Sequence, residues 1–288
     1  MKILVIGGSG FLGSHVADQL SEAGHSVAIF DRVLSPWLRA DQKMILGDLL
    51  NQSEIEGAIR DCDVVYNFAA LADLNQAIDK PIDTVQVNIL GNVYVLEACR
   101  KYSVRRFFYA STIYVFSREG GFYRCSKQAS ESYVEEYQRK YGLQYTILRF
   151  GSLYGPRSDE SNGLYRIVKK ALETGKIQYQ GSPDTLREYI HVEDAAKASV
   201  TAMGEEFCNQ SVVLTGQEPM RVLDLLKMIA EMLGHPDSVE FSEGEQIGHY
   251  VRTPYAYQPK LGRKFIPPMH VDLGQGLLQL IEEVEGKR

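Results

Sequence analysis

Short apolar runs alternate with amphipathic stretches along the first half of the chain. Residues 3–6 are uniformly apolar and rich in β-branched side chains, which is typical of a strand buried on both faces. A glycine-rich turn follows, then helical spacing over residues 14–23 that ends near Gly24, then a second apolar run over 26–30. This order within about 30 residues predicts a βαβ unit.

The same alternation continues to residue 150. The further elements that it predicts are, in chain order, strand 43–46, helix 53–60, strand 63–67, helix 84–102, strand 106–110, helix 126–141 and strand 144–149. Strands that alternate with helices form a parallel sheet with helices on both faces. The fold class expected is therefore α/β, with a Rossmann-type doubly wound parallel sheet.

Beyond residue 150 the pattern loosens among clusters of Gly and Pro. Helical spacing returns over residues 164–174, 222–233 and 274–284. We interpret this part of the chain as a smaller C-terminal substrate-binding lobe. The predicted organisation is a dinucleotide-binding domain over residues 1–150 and a lobe over most of 151–288, with segments near 185–200 returning to the first domain.

Composition and charge narrow the class of protein. With 44% hydrophobic and 24% charged residues among 288, the chain can bury a sizeable core, and its net charge of -6 argues against nucleic-acid binding. No apolar run approaches the roughly 18–20 residues of a membrane span. Four cysteines without paired spacing, and six histidines without an H-x-x-x-H pattern, indicate no metal site. We expect a soluble, cytoplasmic protein with reduced thiols.

The glycine-rich turn is Gly7-Gly8-Ser9-Gly10-Phe11-Leu12-Gly13, with glycines spaced G-x-x-G-x-x-G. Gly7 lets the strand turn sharply, Gly10 lets the backbone approach a pyrophosphate, and Gly13 lets the helix pack closely on the strand. The N–H groups that open the helix, at Phe11 and Leu12, then face the phosphates. The turn stands between a buried strand and a helix, which favours a dinucleotide site over a simple tight turn.

Asp31 ends the second strand and is expected to accept hydrogen bonds from the adenosine ribose hydroxyls. Its carboxylate would repel a 2′-phosphate, which favours NAD over NADP. Arg32 keeps the alternative open, because an adjacent guanidinium can hold such a phosphate. The cofactor that we predict is NAD, with both Asp31 and Arg32 at its adenosine end.

Further motifs follow the turn in a fixed order along nearly the whole chain. They are Gly47-Asp48-Leu49, Asn67-Phe68-Ala69-Ala70, Asn88, Ser111-Thr112, Tyr123-x-x-x-Lys127, Leu148-Arg149, Tyr154-Gly155-Pro156-Arg157 and the run 187–194. With these motifs the chain resembles the extended short-chain dehydrogenases/reductases, specifically the nucleotide-sugar epimerase/dehydratase family of the UDP-glucose 4-epimerase-like kind. The resemblance implies a Rossmann domain with a small substrate lobe, NAD as cofactor, a nucleotide-diphosphate sugar as substrate, and often a homodimer formed through two helices.

The resemblance also implies the residues of the cofactor and substrate sites. Beyond the turn, those expected at the cofactor are Asp48, Leu49, Phe68, Ala69, Ala70, Asn88, Tyr123, Lys127 and Phe150. Those expected at the substrate are Ser111, Ser152, Arg187 and Arg252. Arg187 is the first candidate to grip the diphosphate, because a guanidinium binds two phosphate oxygens and stays charged. The alternative for Arg187 is a salt bridge to Glu188 or Glu193.

Tyr123 and Lys127 stand four residues apart at the start of a predicted helix, so they share one face. A free tyrosine has a pKa near ~10, and an ammonium and an oxidised nicotinamide nearby are expected to lower the pKa of Tyr123. Tyr123 can then take the proton of a sugar hydroxyl while hydride leaves for the nicotinamide. The similar pair Tyr165 and Lys169 does not follow a hydroxyl residue at a strand end, and we interpret it as part of an ordinary amphipathic helix.

Thr112 takes the position of the family's catalytic Ser/Thr, and Ser111 is the alternative. Either hydroxyl would hydrogen-bond the reacting oxygen. Ile113 and Tyr114 follow, where dehydrating members of the family carry an Asp-Glu pair and decarboxylating members keep a Glu at the second position. Without a carboxylate at either position the chain lacks the additional acid and base, which argues against both reactions.

Three functions remain open at this point. The first is an NAD-dependent nucleotide-sugar epimerase, which oxidises C4 transiently and reduces it again from the other face. The second is a nucleotide-sugar dehydrogenase or ketosugar reductase, and the third is a non-catalytic NAD-binding regulatory protein. The presence of Thr112, Tyr123 and Lys127 argues against the third, and the preference for NAD at Asp31 favours the first over a reductase. Only ten residues separate Thr112 from Tyr123, fewer than is usual in the family, and Ser152 replaces a common Asn, so the sugar is not predicted.

Overall fold

Strands and helices alternate over residues 1–236, 238–242 and 249–255, which the structure, a computed structural model, describes. The strands are β1 (Lys2–Ile6), β2 (Ser26–Asp31), β3 (Lys43–Leu46), β4 (Val64–Asn67), β5 (Arg106–Thr112), β6 (Tyr145–Phe150), β7 (Ser152–Tyr154), β8 (Ile177–Gln180), β9 (Leu186–Arg187), β10 (Tyr189–His191), β11 (Gln210–Leu214), β12 (Met220–Arg221) and β13 (Val239–Ser242). The α-helices are α1 (Phe11–Glu22), α2 (Gln52–Ile59), α3 (Leu74–Asp79), α4 (Pro81–Val85), α5 (Gly91–Lys101), α6 (Gly121–Tyr141), α7 (Gly163–Thr174), α8 (Val192–Thr201) and α9 (Val222–Met232).

The central sheet contains seven strands in the order β11-β6-β5-β4-β1-β2-β3. All neighbouring strands run parallel, with Ile6 of β1 opposite both Phe30 of β2 and Asn67 of β4. The chain order reverses between β1 and β4, where a doubly wound sheet opens a cleft at the carboxyl ends of its strands. The Rossmann-type α/β fold predicted from the sequence is confirmed.

The position of β1 explains why the run at residues 3–6 has no polar alternation. Ile3 and Val5 pack on the face of the sheet that α1 and α8 cover. Leu4 and Ile6 pack on the other face, beneath α2, α5 and α6. Because successive side chains of a strand point to opposite faces, a strand covered on both sides is apolar throughout.

The helix predicted over residues 84–102 is interrupted. In the structure α4 ends at Val85, a π-helical turn occupies Gln86–Leu90, and α5 begins at Gly91. A π-turn inserts a residue into a helix while the flanking apolar spacing continues, so periodicity alone does not reveal it. Gly91 lies at a close approach, because a Cβ there would be 2.7 Å from the side chain of Leu49.

Beyond residue 150 the described chain adds short strand pairs and two helices outside the central sheet. β7 pairs with β10, β8 with β13 and β9 with β12, while α7 and α9 enclose a separate core around Ile177 and Leu226. Helix α8 packs against α1, within the range 185–200 expected to return to the first domain. Strand β11 also joins the central sheet, beside β6, and the predicted boundary at residue 150 does not foresee this.

The helix predicted over residues 274–284 lies outside the described residues. Among the helices of the described part of the chain, none is long and apolar enough to cross a bilayer. All four cysteines carry free thiols; they are Cys62, Cys99, Cys125 and Cys208.

Candidate active site

The glycine-rich turn packs closely against the end of β4. Gly7 has a φ of 77°, in the left-handed region that glycine adopts without strain, and its N–H donates to the carbonyl of Phe30 at 2.9 Å. A Cβ at Gly7 would collide with the backbone of Ala69, and a Cβ at Gly13 would overlap the carbonyl oxygen of Gly7. Two of the three predicted positions therefore require glycine for a steric reason.

Helix α1 begins immediately after this turn. Gly10 is its N-cap residue and has extended backbone, with a ψ of 178°. Because glycine has no side chain to cap the helix, the N–H groups of Phe11 and Leu12 open α1 at the positive end of its dipole. Such an end binds phosphate groups, so the turn and the start of α1 fit the pyrophosphate of a dinucleotide.

Asp31 lies at the end of β2, beside the turn. Its Oδ2 accepts a hydrogen bond from the N–H of Ser9 at 3.1 Å, and its Oδ1 accepts one from the N–H of Val33 at 3.3 Å. These two bonds hold the carboxylate where a ribose attached to a pyrophosphate at α1 would reach. The neighbouring Arg32 is exposed to solvent.

The residues predicted near the adenine follow β3. Asp48 closes a turn there, because its Oδ1 accepts a hydrogen bond from the N–H of Leu50 at 2.9 Å. Leu49 is buried and lies against Gly91, the first residue of α5. Leu49 is therefore a packing residue beneath the predicted adenine end of the cleft, and Asp48 is exposed at its edge.

Residues predicted beside the cofactor also follow β4 and end β6. Phe68, Ala69 and Ala70 are half-buried at the carboxyl edge of the sheet, where the backbone of Ala69 meets the turn. Phe150 is buried at the end of β6, and its ring centroid lies 6.4 Å from that of Phe68. The two rings form an apolar surface next to the glycine-rich turn.

Asn88 lies in the π-helical turn and is buried. Its Oδ1 accepts a hydrogen bond from the N–H of Leu71 at 2.7 Å, and its Nδ2 donates to the carbonyl of Leu71 at 3.1 Å and to Ser126 Oγ at 2.9 Å. The amide therefore joins the segment after β4 to helix α6. In the structure Asn88 has this positioning role, and its contact with the cofactor stays a prediction.

Thr112, Tyr123 and Lys127 come together at the end of β5. Thr112 is the last residue of that strand, and its hydroxyl acts on the pKa of Tyr123, which lies in the first turn of α6. Lys127 follows one turn later, with its Nζ 5.8 Å from the centroid of the Tyr123 ring and donating to the carbonyl of Ala110 at 2.7 Å. Helix α6 begins at Gly121 rather than at residue 126, so Tyr123 and Lys127 lie on one helical face, as predicted.

Burial governs the protonation of Tyr123 and Lys127. It raises the pKa of Tyr123 to about 12, while the hydrogen bond with Thr112 acts in the opposite direction. Burial lowers the pKa of Lys127 to about 7, and the charge of Glu131 opposes this shift. The chain by itself therefore does not lower the pKa of Tyr123 as expected from the sequence, and the positive charge of an oxidised nicotinamide would be needed for that.

Ser111 belongs to a buried network next to Thr112. Its hydroxyl donates to Glu131 Oε1 at 2.5 Å, and Arg149 binds both carboxylate oxygens of Glu131, at 3.0 and 2.7 Å. This bidentate pair joins α6 to β6. Because the hydroxyl of Ser111 is used here, the geometry favours Thr112 as the partner of Tyr123. The substrate contact expected of Ser111 stays a prediction, beside this structural role.

Arg187 lies in β9 among aromatic side chains. Its guanidinium carbon is 5.5 Å from the centroid of the Tyr250 ring. Burial lowers the pKa of Arg187, but coulombic interactions with four tyrosines raise it more, to above its ordinary value. These tyrosines are Tyr179, Tyr114, Tyr189 and Tyr250. Arg187 is therefore a permanent cation on the substrate side of the cleft.

The two other residues predicted at the substrate lie close to Arg187. Ser152 is in β7, and its Oγ is 3.4 Å from the hydroxyl of Tyr250. Arg252 is exposed and forms a β-bridge with Leu186, the residue that precedes Arg187. Three segments that are distant in sequence thus meet on this side of the cleft.

Tyr114, His249 and Tyr250 also lie here, and sequence reasoning does not assign them to the site. The hydroxyl of Tyr114 is 2.9 Å from His249 Nδ1, and the rings of Tyr114 and Tyr250 are 4.8 Å apart. Tyr114 and His249 are 135 positions apart, so no sequence spacing indicates that they meet. We call Tyr114, Arg187, His249 and Tyr250 the substrate wall.

Comparisons with known proteins agree with this geometry. A putative UDP-glucose 4-epimerase of Methanocaldococcus jannaschii is 26% identical over 97% of this chain and 97% of its own length. The structure of the Thermotoga maritima UDP-glucose 4-epimerase with UDP-glucose has a TM-score of 0.81 at 27% identity, and the match covers 89% of this chain and 90% of that one. The Thermus thermophilus UDP-glucose 4-epimerase in complex with NAD has a TM-score of 0.80 at 27% identity, over 91% and 95% of the two chains.

The family match covers the cofactor turn and the catalytic group alike. Residues 3–214 match the NAD-dependent epimerase/dehydratase family, a range that includes the glycine-rich turn, Thr112, Tyr123 and Lys127. The chain belongs to the NAD-dependent epimerase/dehydratase family.

Proposed function

We propose that the protein is an NAD-dependent UDP-hexose 4-epimerase. The observation that carries the proposal is the arrangement of Thr112, Tyr123 and Lys127 at the sheet edge that also bears the glycine-rich turn. These three groups serve oxidation and reduction at a carbinol carbon. Ile113 and Tyr114, which follow Thr112, offer no carboxylate for the additional proton transfers that loss of water or carbon dioxide demands.

The substrate class is argued from the relatives and from Arg187. The Thermotoga maritima epimerase was solved with UDP-glucose and the Thermus thermophilus epimerase with NAD, and both resemble this chain over most of its length. Arg187 supplies a guanidinium for the diphosphate, with the exposed Arg252 as a second candidate. A uridine diphosphate sugar combines the two phosphates with a hexose that can extend from Arg187 toward Tyr123.

The chain's own residues account for the proton in the proposed reaction. NAD, when bound, would supply the acceptor and donor of hydride for C4 of the sugar. Tyr123 takes the proton of the C4 hydroxyl in the first half and gives it back to the carbonyl oxygen in the second, so its protonation state is restored. The Thr112 hydroxyl acts to lower the pKa of Tyr123 and would hydrogen-bond the same sugar oxygen, while the ammonium form of Lys127 favours the phenolate.

Retention of the sugar between the two halves follows from the same arrangement. The 4-keto sugar has to present its other face before it is reduced. An anchor on the diphosphate at Arg187 holds the nucleotide while the hexose turns. Because the redox change is reversed within each turnover, no added nicotinamide is consumed.

The proposal is tested by supplying nucleotide sugars to the purified protein. We expect bound NAD to copurify, and UDP-glucose and UDP-galactose to interconvert without added nicotinamide, as followed by chromatography of the sugars. GDP- and dTDP-hexoses, assayed in parallel, report the choice of base. Strict dependence on added NADPH with net reduction would contradict epimerisation and support the ketosugar reductase. Bound NAD without conversion of any sugar would support the regulatory alternative.

We also propose that the protein is a homodimer. Large apolar side chains are exposed on α4, the π-helical turn and α6; they are Ile82, Val85, Leu90, Phe122 and Tyr133. Helices α4 and α6 lie against each other, so these side chains fall on one region of the surface, which favours a second copy as the partner.

Light scattering after size exclusion tests the dimer. A Val85→Glu variant should elute as a monomer, because a charge in an apolar interface costs more than it gains. Leu172→Glu is the matched control, since Leu172 is at least as exposed as Val85 but lies on α7. Dimers that persist in the Val85→Glu protein, or a monomeric wild type, would contradict this interface.

We propose a cytoplasmic location as well. The four cysteines carry free thiols, which favours a reducing compartment. Cell fractionation that recovers the protein with periplasmic or membrane markers would contradict this location.

A further inference from the structure

Tyr114 occupies the first turn after the catalytic strand. It is the second residue of the short 3₁₀ turn Ile113–Phe116, which begins directly after Thr112. The backbone N–H of Tyr114 donates to Thr112 Oγ1 at 3.3 Å, so this turn is tied to the catalytic hydroxyl. The position of the Tyr114 ring is thus coupled to the site where the sugar carbon reacts.

Two residues from the far end of the described chain hold the Tyr114 ring. His249 Nδ1 lies 2.9 Å from the Tyr114 hydroxyl, and the Tyr250 ring packs at 4.8 Å between centroids. On its other side, Tyr250 faces Arg187, whose guanidinium carbon is 5.5 Å from the ring centroid. Tyr114 is therefore one aromatic ring away from the cation proposed to bind the diphosphate.

The short loop before Tyr123 closes on the same ring. Gly120 has a φ of 93°, and a Cβ there would lie 2.8 Å from Tyr114 Cδ1. The chain can pass Tyr114 at this distance only with glycine, and three residues later it presents Tyr123. Gly120, Tyr250 and His249 together restrict the position of the Tyr114 side chain. A side chain held in this way can recognise a specific group of a ligand.

The charges and burial around Tyr114 agree with its location between Tyr123 and Arg187. Burial raises the pKa of Tyr114 well above its ordinary value, and Tyr250, Arg187 and Tyr123 all act on it. Burial, together with the charges of Arg187 and Arg166, lowers the pKa of His249 to about 4, against the opposing charge of Asp73. Both partners are therefore uncharged at neutral pH.

The chemistry of an uncharged phenol–imidazole pair limits what it can recognise. One proton is shared between the Tyr114 hydroxyl and His249 Nδ1, and the phenolic oxygen can form one further hydrogen bond. Whether that bond is donated or accepted depends on the imidazole tautomer. A sugar hydroxyl suits either case, because it is both donor and acceptor.

We propose, on the basis of the function proposed above, that Tyr114 hydrogen-bonds a hydroxyl of the hexose and that His249 positions the Tyr114 hydroxyl for this contact. The pair makes the chain selective for hexoses that carry this hydroxyl. Tyr114 is then a specificity-determining residue, and His249 is a positioning residue that does not touch the sugar.

Binding measurements separate this contact from a structural role. Dissociation constants for UDP and UDP-glucose are measured for the wild type and for Tyr114→Phe, which removes one oxygen atom. We expect Tyr114→Phe to weaken UDP-glucose about tenfold and to leave UDP unchanged, because only the sugar meets Tyr114. An equal loss for UDP and UDP-glucose would overturn the proposal, and so would an unchanged dissociation constant for UDP-glucose.

Deoxygenated substrates identify the hydroxyl. UDP-sugars that lack the 2-, 3- or 6-hydroxyl are compared in the wild type and in Tyr114→Phe, as in a double-mutant cycle. One of them should bind the wild type about as weakly as UDP-glucose binds the variant, and should lose nothing further on substitution. Equal further losses for every deoxy sugar would overturn the assignment of a single hydroxyl.

Variants at His249 test its positioning role. His249→Asn keeps a polar atom near the position of Nδ1, so it should retain most of the difference between the dissociation constants for UDP-glucose and UDP. His249→Leu has no polar atom there and should lose this difference. Tyr141→Phe, on the exposed end of α6, is the control for removal of a phenolic oxygen and should match the wild type. Identical binding by the two His249 variants would contradict the role of His249.

The proposed function can fail separately from this inference. A wild type that interconverts UDP-hexoses while Tyr114→Phe keeps the full preference contradicts the inference alone. A wild type that binds UDP-glucose in a Tyr114-dependent manner, yet never interconverts the sugars, contradicts the epimerase alone.

Discussion

The two sides of the cleft are built from different kinds of groups. The cofactor wall, which we define as residues 7–13 with Asp31, consists of a continuous turn whose backbone N–H groups and close approaches are proposed to bind the dinucleotide. The substrate wall, Tyr114, Arg187, His249 and Tyr250, consists of side chains that come from three separate segments. One wall depends on the absence of side chains, and the other on their contacts with each other.

This difference predicts opposite responses to substitution. At the cofactor wall, an added methyl group collides with backbone, which cannot yield without moving β1 or α1. At the substrate wall, a side chain can be exchanged for another that keeps the same hydrogen bond, and the result is a change of preference rather than loss of the fold. Variants in each wall, and at the catalytic residues between them, can break or sharpen this contrast.

The largest effect is expected at Tyr123, which lies between the two walls. Tyr123→Phe removes the group that exchanges the proton with the sugar, so kcat should fall about 10²–10⁴-fold. The cofactor wall is untouched, and the NAD content of the purified variant should equal that of the wild type. Rates are measured by interconversion of UDP-glucose and UDP-galactose, and NAD by absorbance after release.

Tyr165→Phe is the matched control for this substitution. Tyr165 opens the second Tyr-x-x-x-Lys spacing, but it is half-exposed on α7 and its Lys169 pairs with Glu160. Activity should be unchanged there, in keeping with an ordinary amphipathic helix. Activity retained by Tyr123→Phe would mean that another residue moves the proton.

A second, smaller effect is expected from one methyl group in the cofactor wall. Gly13→Ala places a Cβ onto the carbonyl oxygen of Gly7, which should lower the free energy of unfolding by about 1–3 kcal/mol and release NAD. Gly57→Ala is the control, because nothing lies within 4 Å of a Cβ at this exposed position of α2. It should raise the free energy of unfolding by up to about 1 kcal/mol.

Denaturant unfolding and NAD content decide between these outcomes. If Gly13→Ala were as stable as Gly57→Ala and kept its NAD, the close approach of α1 to the turn would not constrain the cofactor wall. Loss of stability at both positions would point instead to a general sensitivity of the fold to added volume.

The contrast also explains what the sequence predicts well. The cofactor wall is encoded within one βαβ unit, and the steric reasons for Gly7 and Gly13 depend only on neighbours in that unit. The order of the sheet follows in the same way from the alternation of apolar runs and amphipathic helices. Tyr123 and Lys127 are predictable because one helical turn separates them, whatever surrounds the helix.

What the sequence does not predict depends on partners from distant segments. Asn88 has the polarity of a ligand-binding residue, but Leu71 and Ser126 use its amide. Ser111 and Thr112 are adjacent hydroxyls, and strand geometry points them to opposite faces, so only the location of Glu131 shows which one is left for Tyr123. The substrate wall is the extreme case, since its members share no periodicity.

A third prediction concerns pH and the buried Lys127, which adjoins the catalytic site between the walls. Its pKa in the folded protein is about 7, below the 10.5 of an ordinary lysine, because burial disfavours the ammonium. Between these values the unfolded chain binds more protons, so the stability of the apoprotein should rise with pH above 7. Lys127→Met should remove up to about 1.4 kcal/mol per pH unit of this rise.

Thermal or denaturant unfolding between pH 7 and 9 measures the difference in slope. The control is Lys140→Met, on the exposed C-terminal part of α6, which should keep the slope of the wild type. Identical slopes for Lys127→Met and the wild type would mean that Lys127 keeps its ordinary protonation in the folded protein despite its burial.

The smallest effect is expected at Asp31, where the cofactor wall ends in a side chain. Asp31→Asn keeps one acceptor oxygen, for the N–H of Ser9 or of Val33, and removes the charge that would repel a 2′-phosphate. The ratio of the dissociation constants for NADPH and NADH should therefore fall about tenfold, a change of ~1.4 kcal/mol, with little loss of stability.

Arg32→Gln tests the contribution of the neighbouring residue, because it should raise the NADPH/NADH ratio of dissociation constants if the Arg32 guanidinium holds the 2′-phosphate. Tighter binding of NADPH than NADH by the wild type would contradict the preference for NAD. Asp31 belongs to the cofactor wall but is proposed to act through its side chain. If Asp31→Asn changes the preference between NADH and NADPH and the protein still folds, tolerance to substitution depends on whether a residue acts through its backbone or its side chain. It then does not depend on which wall the residue belongs to.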